Sequence, residues 1–495
     1  MKIKTIKEKL MKVNNKRQFQ LSLLWILLSI VFLTSCNPVA VKPDAVAELT
    51  ILYTNDEHGW MEPTERYGGA AGMMGLWKEK EGYTEDGPFL VLSGGDMWTG
   101  PAISTWTHGE SMTAVLNAMG YDAAAIGNHE FDWKIDGIKE RANQAEFPFL
   151  SANIKEKETG DQADWAQPYR IVEVNGVKVG VIGLTTTDTP TSTFPDNVKD
   201  YDFIPYTDAL YEYVPEMKKR GAELLVIDGH FGEPTMDSLA PVAAELGISI
   251  ISGGHSHQRV NKMSDGVAII EAGARMSHYG KIDIVFDTVA DTIISLQQEL
   301  IANSGGNPDP EIESIVEYWR SKVDSSLSQV IGYVNTDISQ NSNEMHNMIM
   351  DSWLEKFPSA DISMTNSGGI RQSILKGEIT LEDIVGVLPF ENNIVQLELT
   401  GQQVIDCMGR FLVGGIASKS DRTLSDGTPI HPDSSYQVLT IDYLYIRSDT
   451  PFHEYDPDPE YTYISYRQPV IDWIQSLNTS AENPLDQYLD DRSRR

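Results

Sequence analysis

Cysteine is nearly absent. Cys36 and Cys407 are the only two in 495 residues, and a chain with so few thiols is not a disulfide-stapled scaffold. Positive charge is scarce as well. Lys and Arg number 39 against 72 Asp and Glu, a formal net charge of −33. Such a field repels polyanions, which excludes nucleic acid and an anionic membrane face as partners. A phosphate site in this chain has to rely on metal cations and a few placed arginines. Long apolar runs are also missing. The one extended run, residues 21–33, is short for a bilayer-spanning helix. There is no internal repeat and no long low-complexity tract. The remaining composition, 41% hydrophobic, is ordinary for a globular protein, and the length suits two domains with real cores.

The N-terminus reads as a targeting segment. Residues 2–17 hold six Lys and one Arg against one Glu, and the apolar run follows, closing on Leu33-Thr34-Ser35-Cys36. A basic region, an apolar core and small residues, in that order, make a secretory signal. The ending resembles the lipobox of bacterial lipoproteins, which implies that Cys36 is lipidated and becomes the first residue. The expectation is a signal peptide over residues 1–35 and a tether over 36–48. With Cys36 lipidated only the Cys407 thiol remains free, so no intrachain disulfide can form.

The chemistry lies in polar clusters that follow short apolar runs. Residues 48–53 lead into Asp56-Glu57-His58-Gly59, residues 89–92 into Gly94-Gly95-Asp96, and residues 123–126 into Gly127-Asn128-His129-Glu130-Phe131-Asp132. Residues 224–227 lead into His230, and 248–251 into Gly254-His255-Ser256-His257. Runs of this kind, rich in Val, Ile and Leu, read as buried parallel strands. In open α/β sheets ligands bind outside the carboxyl ends of the strands. The pattern therefore brings Asp, His and Asn to one sheet edge, in numbers sufficient for two divalent cations. Residues 69–80 and 110–119 carry helical spacing, and residues 177–184 read as a further strand. Near 303–310 the composition shifts to Gly, Asn, Pro and Asp, and Ile312, Ile315, Val316, Trp319 and Val323 mark one face of a helix. A Thr380-x-x-Asp383 capping box opens another helix. Residues 394–399 alternate as a strand, and residues 400–411 read as a helix.

In order, Asp56-x-His58-Gly59, Gly95-Asp96, Gly127-Asn128-His129-Glu130, His230 and Gly254-His255-x-His257 resemble the calcineurin-like metallophosphoesterases. Within that group the chain is similar to the two-domain 5′-nucleotidases, whose second-domain pattern reappears in Asn366-Ser367-Gly368-Gly369-Ile370-Arg371 and Pro389-Phe390-Glu391-Asn392. The resemblance implies an α/β chain (α+β overall). A four-layer αββα metallophosphoesterase sandwich over 49–303 would be joined by a linker helix over 304–327 to a smaller α/β substrate domain over 328–495. It implies two divalent cations bridged by Asp96, with Asp56, His58 and His257 completing one site and Asn128, His230 and His255 the other. Mixed nitrogen and oxygen ligands suit zinc or manganese better than calcium. Two such cations can clamp a phosphoryl group and activate water. His129 and Asp132 match the family's catalytic pair. Their three-residue spacing shares one face of a helical turn, where a carboxylate orients the imidazole and raises its pKa.

For the second domain the resemblance implies substrate contacts at Arg371, Asn392, Arg410, Phe411, Tyr443 and Asp449. Phe411 and Tyr443 would stack on a nucleobase and Asp449 would bind the ribose. The family leaves small residues where this chain has Tyr445, Arg447 and Ser448, and glycine there allows close backbone approach. Arg371 fits either a phosphate contact or a core salt bridge. The expected function is an exported, lipid-anchored hydrolase of small-molecule phosphate monoesters, with nucleoside 5′-monophosphates as the leading class. A 2′,3′-cyclic-nucleotide phosphodiesterase or a nucleotide-sugar or dinucleotide pyrophosphatase would use the same site. A surface interaction lipoprotein without turnover is the alternative of another class.

Overall fold

A computed structural model describes residues 45–494. Cys36, the expected signal peptide and most of the expected tether lie outside the described residues.

The first domain is built on two six-stranded sheets. In the first, Val46–Thr54 lies between Phe89–Ser93, its parallel neighbour, and His278–Asp287, its antiparallel neighbour. Ala123–Ala125 and Phe149–Leu150 extend the parallel side. In the second, Val177–Thr185, Leu224–His230 and Ile250–Ser252 run parallel to one another. The period of two along a strand explains why Val46–Thr54 ends in an unbroken apolar run. Ile51 and Tyr53 point into the core between the sheets, whereas Leu52 joins the core beneath the outer helices. Both faces of the strand are therefore buried, as in other two-sided parallel sheets. Helices Gly69–Leu76 and Glu110–Ala118 cover the first sheet, and Tyr206–Lys219 and Glu233–Glu245 cover the second. The result is the four-layer αββα sandwich.

The register matters for the site. Tyr53 donates from its hydroxyl to the carbonyl of Gly253 (2.7 Å), tying the end of a strand in one sheet to a loop of the other. The loops after five parallel strands thus open at one edge of the sandwich.

Helix Pro310–Leu327 starts with Asp309, whose side chain accepts from the backbone of Glu311 and Ile312, and has proline at its first position. Its apolar face, Ile312, Val316, Trp319, Val323 and Leu327, is part of the first domain's core. The segment expected as a linker is thus packed as a structural member of that domain.

The second domain has one five-stranded sheet, with Ser435–Ile441 paired to Asn393–Thr400 on one side and to Ile362–Thr365 on the other. Helices Asn343–Lys356 and Gln468–Ser476 pack on it around a single core. The Thr380/Asp383 capping box forms, with both reciprocal bonds present. The helix expected over residues 400–411 is shorter. It runs Gly401–Met408, capped by Thr400 and Gln403, and the chain has left the helix before Phe411.

Candidate metal centre and active-site cleft

The strand-end loops place the expected ligands in two adjoining groups, Asp56 with His58 and His257, and Asp96 with His230 and His255. Asp96 lies between them. Its Oδ2 is 3.2 Å from His230 Nε2 and 3.9 Å from His58 Nε2. Asn128 Oδ1 lies 2.9 Å from His255 Nδ1 and 3.3 Å from His230 Nε2.

The backbone fixes which histidine nitrogens face the centre. His58 Nδ1 donates to the carbonyl of Thr99 (3.0 Å) and His230 Nδ1 to that of Gly94 (2.7 Å). Both rings are thereby held with Nε2 turned inward, the tautomer a metal needs. Asp56, His58, Asp96, His255 and His257 all have positive φ, between 47° and 69°. This backbone conformation is uncommon for non-glycine residues and clusters at functional sites.

The donor set fits divalent cations. Asp56 Oδ1 is buried and no donor hydrogen-bonds to it, although His257 Nε2 is 3.2 Å away. Buried carboxyls crowd the centre. Burial pushes Glu57 up to about 8, Glu130 up to about 7 and Glu271 up to about 8, and holds Asp228 well above the usual range. A divalent cation beside them would favour their ionised forms and offset this burial cost. Asp96 is the exception: burial opposes its ionisation, but His230 and His129 hold its carboxyl well below the ordinary value.

Three acids and one amide that sequence reasoning left without roles shape the ligand loops. Glu130 accepts from the backbone N–H of Asp96 (2.8 Å), Met97 (2.8 Å) and Gly127 (2.6 Å). Glu57 accepts from Thr54 and Ser93, and Glu271 from Ser256 and the backbone of Gln258. Asn55 donates to Asp56 Oδ2 and to Gly273, and accepts from Ala272. Glu57 and Glu130 stand inside the quoted motifs, and an acid next to a ligand or catalytic histidine in a strand-end loop was the available signal. Glu271 and Asn55 carried none.

His129 Nδ1 lies 2.9 Å from Asp132 Oδ2. The two belong to the 3₁₀ turn His129–Trp133, in which side chains at i and i+3 eclipse. Burial works against protonation of His129, but Asp132 and Asp96 outweigh it and raise its pKa above the ordinary value.

The second domain closes over this centre. Arg371 Nη2 lies 3.1 Å from His58 Nε2, and the salt bridges among the described residues include none to Arg371, so it is not a core ion pair. Asn392 and Tyr443 line the same cleft, together with His129, Asp132, Phe390 and Arg447, around a volume of about 650 Å³.

Three expected substrate contacts lie elsewhere. Phe411 is buried in the second domain's core against Phe452, ring centroids 5.1 Å apart. Arg410 is exposed and donates to the backbone of Asp449. Asp449 is held bidentately by Arg447, at 2.7 and 2.6 Å. The reason is the departure at Arg447. Its guanidinium lies 5.1 Å from the centre of the Tyr443 ring and donates to the Tyr443 hydroxyl (2.8 Å). It thus takes the place beside Tyr443 that a second aromatic would need, and it neutralises the carboxylate meant for a ribose.

Fold and site together define a two-domain metallophosphoesterase. Residues 328–423 match the family described as 5′-nucleotidase, C-terminal domain, and residues 90–264 match one described as bacterial capsule synthesis protein PGA_cap. The chain is 28% identical over 493 residues to Protein UshA of Escherichia coli (strain K12), covering 84% of this chain and 88% of the relative. It is 29% identical over 421 residues to a 5′-nucleotidase of Vibrio cholerae, covering 74% and 76%. In fold it resembles the 5′-nucleotidase precursor of Thermus thermophilus, with a TM-score of 0.75 at 22% identity over 90% of this chain and 99% of that one. The second domain is thus similar to 5′-nucleotidase C-terminal domains, and the chain over most of its length is similar to UshA and 5′-nucleotidase proteins. It is a hydrolase of the metallophosphoesterase class.

Proposed function

We propose that this chain releases orthophosphate from phosphate monoesters, with nucleoside 5′-monophosphates as its main substrates. We also propose that it works outside the cytoplasm, in the bacterial cell envelope, on a lipid tether at Cys36. One observation carries the catalytic reading: the Asp/His/Asn cluster, the His129–Asp132 pair and Arg371 converge on one cleft between the domains. Asp56, His58 and His257 would hold one cation, Asn128, His230 and His255 the second, and Asp96 would be shared. Zinc or manganese suits these donors. When bound, the pair supplies Lewis acidity toward phosphoryl oxygens and favours attack by water.

The chain's own residues do the rest. Arg371 brings a fixed positive charge toward the phosphoryl oxygens, a planar donor fork suited to them. Water adds to phosphorus and the P–O ester bond breaks. His129, kept protonated by Asp132 and Asp96, gives its proton to the leaving alkoxide oxygen. Tyr443 and Asn392 contact the alcohol portion.

The test is phosphate release from a panel of mononucleotides, cyclic nucleotides, nucleotide sugars and p-nitrophenyl phosphate, with added manganese or zinc. Preference for 5′-mononucleotides supports the reading. Preference for cyclic or pyrophosphate substrates replaces it with a different reaction on the same site. No release from any of them would leave a binding lipoprotein. Labelling of Cys36 by a fatty-acid analogue in the native host tests the tether.

A further inference from the structure

A second cavity, of about 780 Å³, reaches the metal-ligand cluster at His257. That histidine is the one residue lining both it and the substrate cleft. Its wall carries Arg275, Arg259, His278 and Trp60. Arg275 is anchored by its backbone, which donates to the carbonyl of the ligand Asp56 (2.7 Å), and it has a left-handed φ of 59°. Its guanidinium lies 5.1 Å from the centre of the Trp60 ring and donates to the backbone carbonyl of Arg371 (3.2 Å). No carboxylate pairs with it among the described residues. Of the acids lining the cavity, Glu62 and Glu382 are held by Arg320, Asp383 accepts from Thr380, Asp337 accepts from the backbone of Lys376, and Glu65 is exposed. A half-buried guanidinium with no carboxylate partner among the described residues keeps donors free for an oxyanion.

We propose that this cavity binds an oxyanion, and that Arg275 with Arg259 receives the orthophosphate leaving the metal centre past His257. The alcohol product occupies the cleft in front, so a separate cavity lets phosphate depart without waiting for it. The identity of the anion rests on the phosphohydrolase reading above. The existence of the site does not, because binding is measured without turnover.

The test is equilibrium dialysis of radiolabelled orthophosphate against full-length protein, either manganese-loaded or stripped of metal. Wild type should bind two equivalents when loaded and one when stripped. Arg275→Met, which keeps the apolar contact with Trp60, should bind one when loaded. When stripped, its affinity for phosphate should fall at least about tenfold, the loss expected for a charge-assisted bond. Arg275→Lys should retain the site. If Arg275→Met does not fold, Arg259→Met provides the same comparison. Stripped wild type that binds no phosphate, or a stripped methionine variant that binds like wild type, overturns the proposal. Methylenediphosphonate separates the two sources of an oxyanion. Displacement of one phosphate per molecule supports a product route. Displacement of both by a single diphosphonate overturns that route and makes the cavity a seat for a second phosphoryl group of the substrate.

Discussion

Phe390 of the second domain lies against His129 of the first, with ring centroids 5.5 Å apart and planes 22° from parallel. Arg371 sits 6.0 Å from the centre of the same Phe390 ring. The second domain therefore touches His129, the proposed proton donor, through an aromatic side chain and packs Arg371 against the same ring. Aromatic pairs of this kind contribute about 0.5–1.5 kcal/mol beyond burial. Phe390→Ala should accordingly lower kcat by roughly 2–10-fold while leaving metal content unchanged. Steady-state kinetics alongside metal analysis checks it, and an unaltered kcat would remove Phe390 from the catalytic arrangement.

His129 makes the sharper test of roles. His129→Ala should retain both metal ions and lose roughly 10²–10⁴ in rate, the usual contribution of a positioned acid–base group. Asp132→Asn should lose less and should shift the alkaline limb of the pH–rate profile to lower pH, because the carboxylate that raises the imidazole pKa is gone. Loss of metal in the histidine variant would place His129 among the ligands instead.

Asp96, the proposed shared carboxylate, is buried and lies near histidines of both ligand groups. Asp96→Asn should abolish most activity and weaken binding of both ions, since a neutral amide supplies no charge to share. Removing metal from wild type with a chelator should lower the melting temperature. The five strained ligand positions and the buried Asp56 Oδ1 would then lose their compensation, and an ion at 100 times its Kd contributes about 2.7 kcal/mol. Plasma emission spectrometry and calorimetry read both effects. Two ions retained with near-normal turnover in Asp96→Asn would undo the assignment.

The sandwich and its ligand edge were legible because strand-end motifs report backbone position directly. Asp56, His58, Asp96, Asn128, His230, His255 and His257 each follow a buried run, and parallel strands leave their ligands one edge to occupy. His129 and Asp132 were legible from a spacing of three. The second domain was not legible to the same depth. Phe411 has the family's neighbours, but its direction depends on where helix Gly401–Met408 ends, and helix ends are poorly fixed by sequence. Arg447 signalled a departure, yet its stacking on Tyr443 and its grip on Asp449 are tertiary facts. Helix Pro310–Leu327 showed its apolar face in the sequence, but not which domain would bury it.

That helix carries one of the contacts between the domains. Arg320 bonds Glu62 of the first domain through Nε (2.7 Å) and Nη2, and bonds Glu382 of the second through Nη1. Because the helix is packed into the first domain's core, any rotation of the second domain must pivot beyond Leu327 and must break the Glu382 contact. The groups are partly exposed, so the pair is screened and contributes about 1 kcal/mol. Glu382→Gln should raise KM by roughly fivefold with a smaller change in kcat, and small-angle scattering should show a larger radius of gyration. An unchanged scattering profile would show that the closed arrangement does not depend on this link.

The nucleoside contact is the point at which sequence and structure diverge, and it separates two variants that the family pattern treats alike. Tyr443 lines the cleft and Phe411 does not. If Tyr443, backed by Arg447, carries the base, Tyr443→Ala should raise KM for a mononucleotide by roughly 5–150-fold, from the 1–3 kcal/mol that base stacking provides. Hydrolysis of p-nitrophenyl phosphate should barely change, since that ester needs only the metal centre, His129 and Arg371. Phe411→Ala should behave differently. It empties a core position packed on Phe452, so it should destabilise the protein by about 3–5 kcal/mol and leave KM for either substrate within about twofold of wild type at temperatures where the variant stays folded. Thermal melts and parallel kinetics on the two substrates distinguish these outcomes. A selective rise in nucleotide KM for Phe411→Ala would mean that the ring leaves the core to meet the base. Equal, unaltered KM values for both substrates in Tyr443→Ala would remove nucleotides as the preferred class and leave a phosphatase of simpler esters.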